Sequence, residues 1–278
     1  MCPPGVFSSL NDAACSRRNL FKIGAGVAAA TAAATLGTNQ AHAASTNTIH
    51  YGNLVDLTHV LGPGMPVFPG APAFKIEVSV THKTGGYYGN ILTYWEHVGT
   101  HLDAPIHFGP DALFVDQIDP RNLIVPAVVI DMRTKVMSNP DVVVTPDDLL
   151  AWEKRYGRIP NNAAVLMSSD WGMRISSQDD YRNTDNSGTM HFPGFGKEAI
   201  DFLLQERSIA GIGVDTLSLD FGPSTTFAVH NTLLPANRWG IENLANLGAI
   251  PPSGATLFIG APKVASGSGG PSRILAVW

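Results

Sequence analysis

His97, His101, Asp103 and His107 fall within eleven residues of a 278-residue chain that has nine histidines in all. Neutral imidazole nitrogen and carboxylate oxygen are ligands for Zn²⁺, Mn²⁺ or Fe²⁺, and the lack of thiolates disfavours a closed structural zinc site. A set of three such ligands leaves positions open for water, which is the arrangement of a catalytic ion. In a helix Asp103 would point away from His101, and Gly99 and Pro105 oppose helix formation. In an extended segment the period of two puts His97, Gly99, His101 and Asp103 on one face and Val98, Thr100 and Leu102 on the other. This reading predicts an apolar side in the core and a ligand side in a cleft. His107 lies beyond Pro105, so alternation does not aim it; it is either a fourth ligand or a general acid/base. Alternation turns Glu96 to the face opposite His97.

These residues need a frame. Short apolar runs with β-branched residues predict strands over 54–57, 74–80, 91–98, 125–131, 164–168, 209–214 and 256–260. Thr145-Pro146-Asp147-Asp148 supplies a cap, a first-position proline and early acids for a helix over 145–156. A second helix is expected over 196–207 and a short third over 241–245. Strands with interspersed helices and short connections predict an α/β domain with a mixed sheet and flanking helices. No repeat or low-complexity linker divides residues 44–278, which read as one domain.

The chain is 44% hydrophobic and 15% charged, with 28 Gly and 20 Pro, which fits a packed, turn-rich core better than a disordered chain or a helical bundle. A net charge of −5, with no basic stripe, argues against a nucleic-acid partner. The first forty-odd residues differ. Arg17-Arg18 precedes an Ala-rich apolar run, Ile23 to Leu36, and Ala41-His42-Ala43 offers small residues for a signal peptidase. Residues 1–43 therefore read as a twin-arginine signal cleaved between Ala43 and Ala44, with export to the periplasm or beyond. The apolar run is too short for a comfortable membrane span, so no stable membrane insertion is expected after cleavage. Both cysteines, Cys2 and Cys15, lie in that segment, so disulfides are not expected in the rest.

His-x-Gly-Thr-His-x-Asp-Ala-Pro-x-His, standing here as His97 to His107, resembles the signature of the putative-cyclase superfamily of metal-dependent hydrolases. That family includes bacterial kynurenine formamidase and isatin hydrolase. Asp56-Leu57-Thr58-His59, Gly64 to Gly70, Gly213 to Asp220, Gly240 to Leu244 and the loop Gly267 to Pro271 are similar to further family segments. The resemblance implies a swivelling β/β/α fold, a homodimer or homotetramer, and a small-molecule substrate. It implies His97, His101 and Asp103 as metal ligands, with His230 and Glu242 completing a site for one or two ions, Zn²⁺ or Mn²⁺, and His107 in catalysis. On residues alone His230 reads as an ordinary packed histidine and Glu242 as a helix-start acid.

The chemistry expected is hydrolysis of an amide C–N bond, in an aryl-formamide or a cyclic amide, by metal-activated water with His107 as general acid/base. Phe68 and Trp95 could stack on an aromatic substrate, although core packing is the better account of each on sequence alone. The alternatives are a lactone or ester hydrolase, a dehydratase-type cyclase on the same scaffold, and a non-catalytic metal- or ligand-binding protein.

Overall fold

A computed structural model of the protein describes residues 50–278, which belong to a compact unit spanning Ile49–Trp278. The twin-arginine segment, both cysteines and the expected cleavage point lie outside the described residues.

The strands are β1 (Leu54–Asp56), β2 (Lys75–Val80), β3 (Gly89–Thr93), β4 (His101–Asp103), β5 (Ile124–Asp131), β6 (Val143–Val144), β7 (Ala164–Ser168), β8 (Gly194–Phe195), β9 (Gly211–Val214), β10 (Trp239–Glu242), β11 (Thr256–Gly260), β12 (Gly269–Pro271) and β13 (Arg273–Val277). The helices are α1 (His82–Gly85), α2 (Arg133–Ser138), α3 (Pro146–Tyr156), α4 (Gln178–Arg182), α5 (Lys197–Gln205) and α6 (Ala228–Leu233). Nine strands form one mixed sheet in the order β1-β13-β11-β5-β7-β9-β10-β4-β12. Its centre, β5-β7-β9-β10, is parallel, and antiparallel strands extend it on both sides.

Parallel strands are covered on both faces, so their sequences read as continuous apolar runs. Ala127, Val129, Ala164 and Leu166 point to one core, with Leu102, Ile241, Leu257 and Ile274. Val128, Ile130, Val165 and Met167 point to the other, against Leu149 and Trp152 of α3, Ile200 and Leu203 of α5, and Val229 and Leu233 of α6. The Thr145 side chain caps α3 through the Asp148 amide, as its sequence predicts. The expected fold class, a mixed α/β sheet with flanking helices, is what the chain adopts.

Two local expectations are overturned. Residues 241–245 are no helix: Trp239–Glu242 is the strand β10, fully buried and paired with β9 and β4. Burial on every side erases any sequence period, and two ladders of hydrogen bonds outweigh weak local propensity. The strand expected over 91–98 stops at Thr93. The chain then turns and passes through Gly99 at φ +62°, a left-handed conformation in which glycine carries no steric penalty. Only His101–Asp103 is therefore extended, and the single ligand face proposed for residues 97–103 is really a turn followed by a strand.

Candidate metal centre

β4 lies between β10 and β12, paired antiparallel to both, so its three residues are wholly buried. Leu102 points into the core, and His101 and Asp103 point to the opposite side, as the alternation predicts. His97 reaches the same place from the turn: its Nδ1 is 2.6 Å from Asp103 Oδ1. Glu242, at the end of β10, and His230, on α6, close the group. His101 Nε2 is 3.2 Å from Asp103 Oδ1 and 3.4 Å from Glu242 Oε2. His230 Nε2 is 3.3 Å from Glu242 Oε1 and 3.6 Å from Asp103 Oδ2. Glu242 does not cap a helix; its other role is to accept the Leu219 amide at 3.0 Å.

The donor set fits a cation. His101 Nε2 and Asp103 Oδ2 are buried with no hydrogen-bond partner, a costly state for groups that face one another across the centre. Two ligand atoms each about 2.1 Å from one ion at the tetrahedral angle stand ~3.4 Å apart, close to the spacings found here. Two overlapping triads are arranged this way, His97/Asp103/His107 and His101/Asp103/Glu242, and Asp103 belongs to both.

Each of three imidazoles has its other nitrogen occupied, which fixes its tautomer. His101 Nδ1 donates to the Gly99 carbonyl at 2.8 Å, and His230 Nδ1 donates to Asp220 at 2.7 Å. His97 Nε2 meets Ser268 Oγ at 3.0 Å. His107 differs: its ring stacks on His97 with centroids 3.8 Å apart, and it makes no side-chain hydrogen bond among the described residues.

The centre sits at the floor of a cavity of about 430 Å³. Phe68, Trp95, Phe108, Leu217 and Phe227 wall it, and none of its lining residues is lysine or arginine. Phe68 and Trp95, singled out in the sequence, both line it, and Trp95 is half exposed rather than a core residue. Phe108 and Phe227, which also line it, and Asp220, which holds His230, carry no residue-level signal of these roles. Phe227 has φ +48°, a strained value for a bulky residue that costs about 1–3 kcal/mol. Its ring packs on Phe68 and Phe108 and edge-on to His230.

A family model described as Putative cyclase matches residues 55–221. The chain belongs to that family. An isatin hydrolase from Roseibium aggregatum is 35% identical over 241 residues, spanning 81% of this chain and 91% of the relative. A kynurenine formamidase from Bacillus cytotoxicus is 36% identical over 202 residues, spanning 69% and 81%. The crystal structure of an isatin hydrolase bound to the product analogue thioisatinate aligns with a TM-score of 0.78 at 33% identity, covering 81% of this chain and 92% of that one. As a member of the putative-cyclase family, the protein is a metal-dependent hydrolase of non-peptide C–N bonds.

The electrostatics of this family member follow from its crowded carboxylates. Burial works against charge on His101, but Asp103 and then Glu242 outweigh it and raise the ring to about 9. Burial likewise opposes charge on His230, and the carboxylates of Asp103, Asp220 and Glu242 around it lift it well above the ordinary value. Without an ion the His101 ring is protonated at pH 7 and the His230 ring is pushed the same way, and a cation must displace such protons. Loading the metal-free protein at pH 7 should therefore release at least one proton per subunit, and apparent affinity should climb with pH up to about 9. Calorimetry in buffers of different ionisation enthalpy reads the count; release of none would contradict the arrangement.

Proposed function

We propose that the protein opens a neutral cyclic aryl amide such as isatin, using Asp103, His101, His97, His230 and Glu242 to hold one or two ions, Zn²⁺ or Mn²⁺. The observation that supports this most is the contrast within one cavity: aromatic walls without a cationic side chain, over a floor of imidazoles and carboxylates. A flat apolar ring gains by burial and by offset or edge contacts with Phe68, Phe108, Phe227 and Trp95. A substrate bearing an amino-acid carboxylate would bury that charge without a partner.

When bound, a divalent cation lowers the pKa of water from 15.7 to about 7 and polarises a carbonyl oxygen. His107 handles the proton. Burial, before any other influence, depresses its pKa to about 4, so the ring is neutral at pH 7 with a lone pair free to take up a proton. It accepts a proton from the attacking water and returns it to the departing nitrogen. The aromatic walls hold the scissile bond over the centre, and Asp220 keeps His230 Nε2 turned towards it. Steady-state kinetics on isatin and N-formylkynurenine test the reading. The expected kcat/KM is about 10²-fold higher for isatin, because the amino-acid head meets no cation; a preference for N-formylkynurenine would refute it.

We further propose a homodimer or homotetramer. The hairpin of β2 and β3 leaves Ile76, Val78 and Leu92 exposed on one face outside the main sheet, an apolar surface suited to a second copy. Light scattering that finds a monomer would refute it. Export by the twin-arginine route, proposed from Arg17-Arg18 and Ala41-His42-Ala43, is tested by the N-terminus of protein recovered outside the cytoplasm.

A further inference from the structure

His97 is held from behind by a residue 171 positions away. Ser268 Oγ lies 3.0 Å from His97 Nε2 and 2.5 Å from Glu96 Oε2. The same carboxylate oxygen accepts the Ser268 amide at 3.2 Å. The loop that carries Ser268 is built onto the centre: its carbonyl accepts the Ala104 amide at 2.9 Å, and β12, which follows it, pairs with β4. A side chain at Gly269 would strike the Leu102 carbonyl and the His97 ring, so only glycine lets the loop approach this closely.

Proton accounting gives the contact a direction. A carboxylate only accepts, so the single Ser268 hydroxyl proton goes to Glu96. The serine oxygen can then only accept from His97, whose Nε2 must carry the proton. Nδ1 stands 2.6 Å from Asp103 Oδ1, which also only accepts, so the proton in that contact is the one a bound cation would replace, leaving the Nδ1 lone pair to the ion. We infer that Glu96, acting through Ser268, is a positioning residue that fixes His97 in the Nε2–H tautomer and makes Nδ1 its ligand atom. This rests on the metal-centre reading above. It also gives His97 the same kind of outer partner that Gly99 gives His101 and Asp220 gives His230, although here the hydrogen bond passes through a hydroxyl.

The experiment measures Zn²⁺ dissociation constants by dye competition and locates the His97 ring proton in the Zn²⁺-loaded protein by ¹⁵N–¹H NMR. Ser268→Ala should weaken binding by about 10–100-fold, and Ser268→Thr, which keeps the hydroxyl, should restore it. Glu96→Gln should weaken it similarly, because an amide can donate where the carboxylate could only accept. The double variant Glu96→Gln/Ser268→Ala should be no weaker than Ser268→Ala alone. A proton found on Nδ1 in the Zn²⁺-loaded protein overturns the inference. So does wild-type affinity in Ser268→Ala beside weakened Glu96→Gln, which would make Glu96 a distant charge only. The control is Asp103→Asn: if it loses the ion while Ser268→Ala keeps it, the relay alone fails. If Asp103→Asn binds Zn²⁺ as tightly as wild type, the metal-centre reading falls and the relay with it.

Discussion

Replacing His107 with alanine is expected to lower kcat on isatin by about 10²–10⁴-fold while metal content per subunit stays unchanged. The His107 ring lies over His97 at 3.8 Å, at the cavity floor, without the hydrogen-bond tether that each of the other three imidazoles has. A ligand imidazole is usually tethered at its second nitrogen; a ring that must gain and lose a proton works better untethered. His107 nonetheless stands within ligand distance of His97 and Asp103. Metal analysis beside the kinetics separates the two roles, since a ligand would take the ion with it when removed. Loss of metal in His107→Ala would make His107 a ligand and leave the proton transfer to another group.

Asp103→Asn should have the larger effect, with stoichiometric metal lost and hydrolysis reduced by more than about 10⁴-fold. Both candidate triads contain Asp103, and its carboxylate is the largest influence raising His101. The amide keeps the shape of the side chain but cannot supply an anionic ligand, so fold and metal binding part company. Chelation of the native enzyme should produce the same loss, and adding the ion back should reverse it. Activity that survives both would remove the metal from the reaction.

The core strands were the most legible part of the sequence, and 164–168 and 256–260 match their structural bounds because a strand buried on both faces leaves a dense apolar signature. Trp239–Glu242 was not legible, since four buried residues that include a glycine carry no period, and their strand pairing comes from partners more than twenty residues away. At the site, residue types and spacing sufficed for His101 and Asp103, which do lie on one strand. His97 arrives by a different path from the one alternation suggests, because a left-handed glycine intervenes. His230 and Glu242 were visible only through family resemblance. Glu96 was set aside as facing the wrong way, yet it meets the centre's outer layer through a serine that no local pattern could connect to it. Phe227 had no signal at all: its role depends on a backbone conformation that bulky residues rarely adopt.

The location of β4 has a consequence for biosynthesis. Its neighbours on either side come from residues 239–242 and 269–271, near the end of the chain. A nascent polypeptide still missing that end has its histidine motif but neither Glu242 nor the loop behind His97, and it cannot assemble the full set of ligands. Ion capture is therefore a late event, coupled to completion of the fold. A carrier that moves finished proteins across a membrane would deliver this one already charged with its metal, whatever ions prevail on the far side.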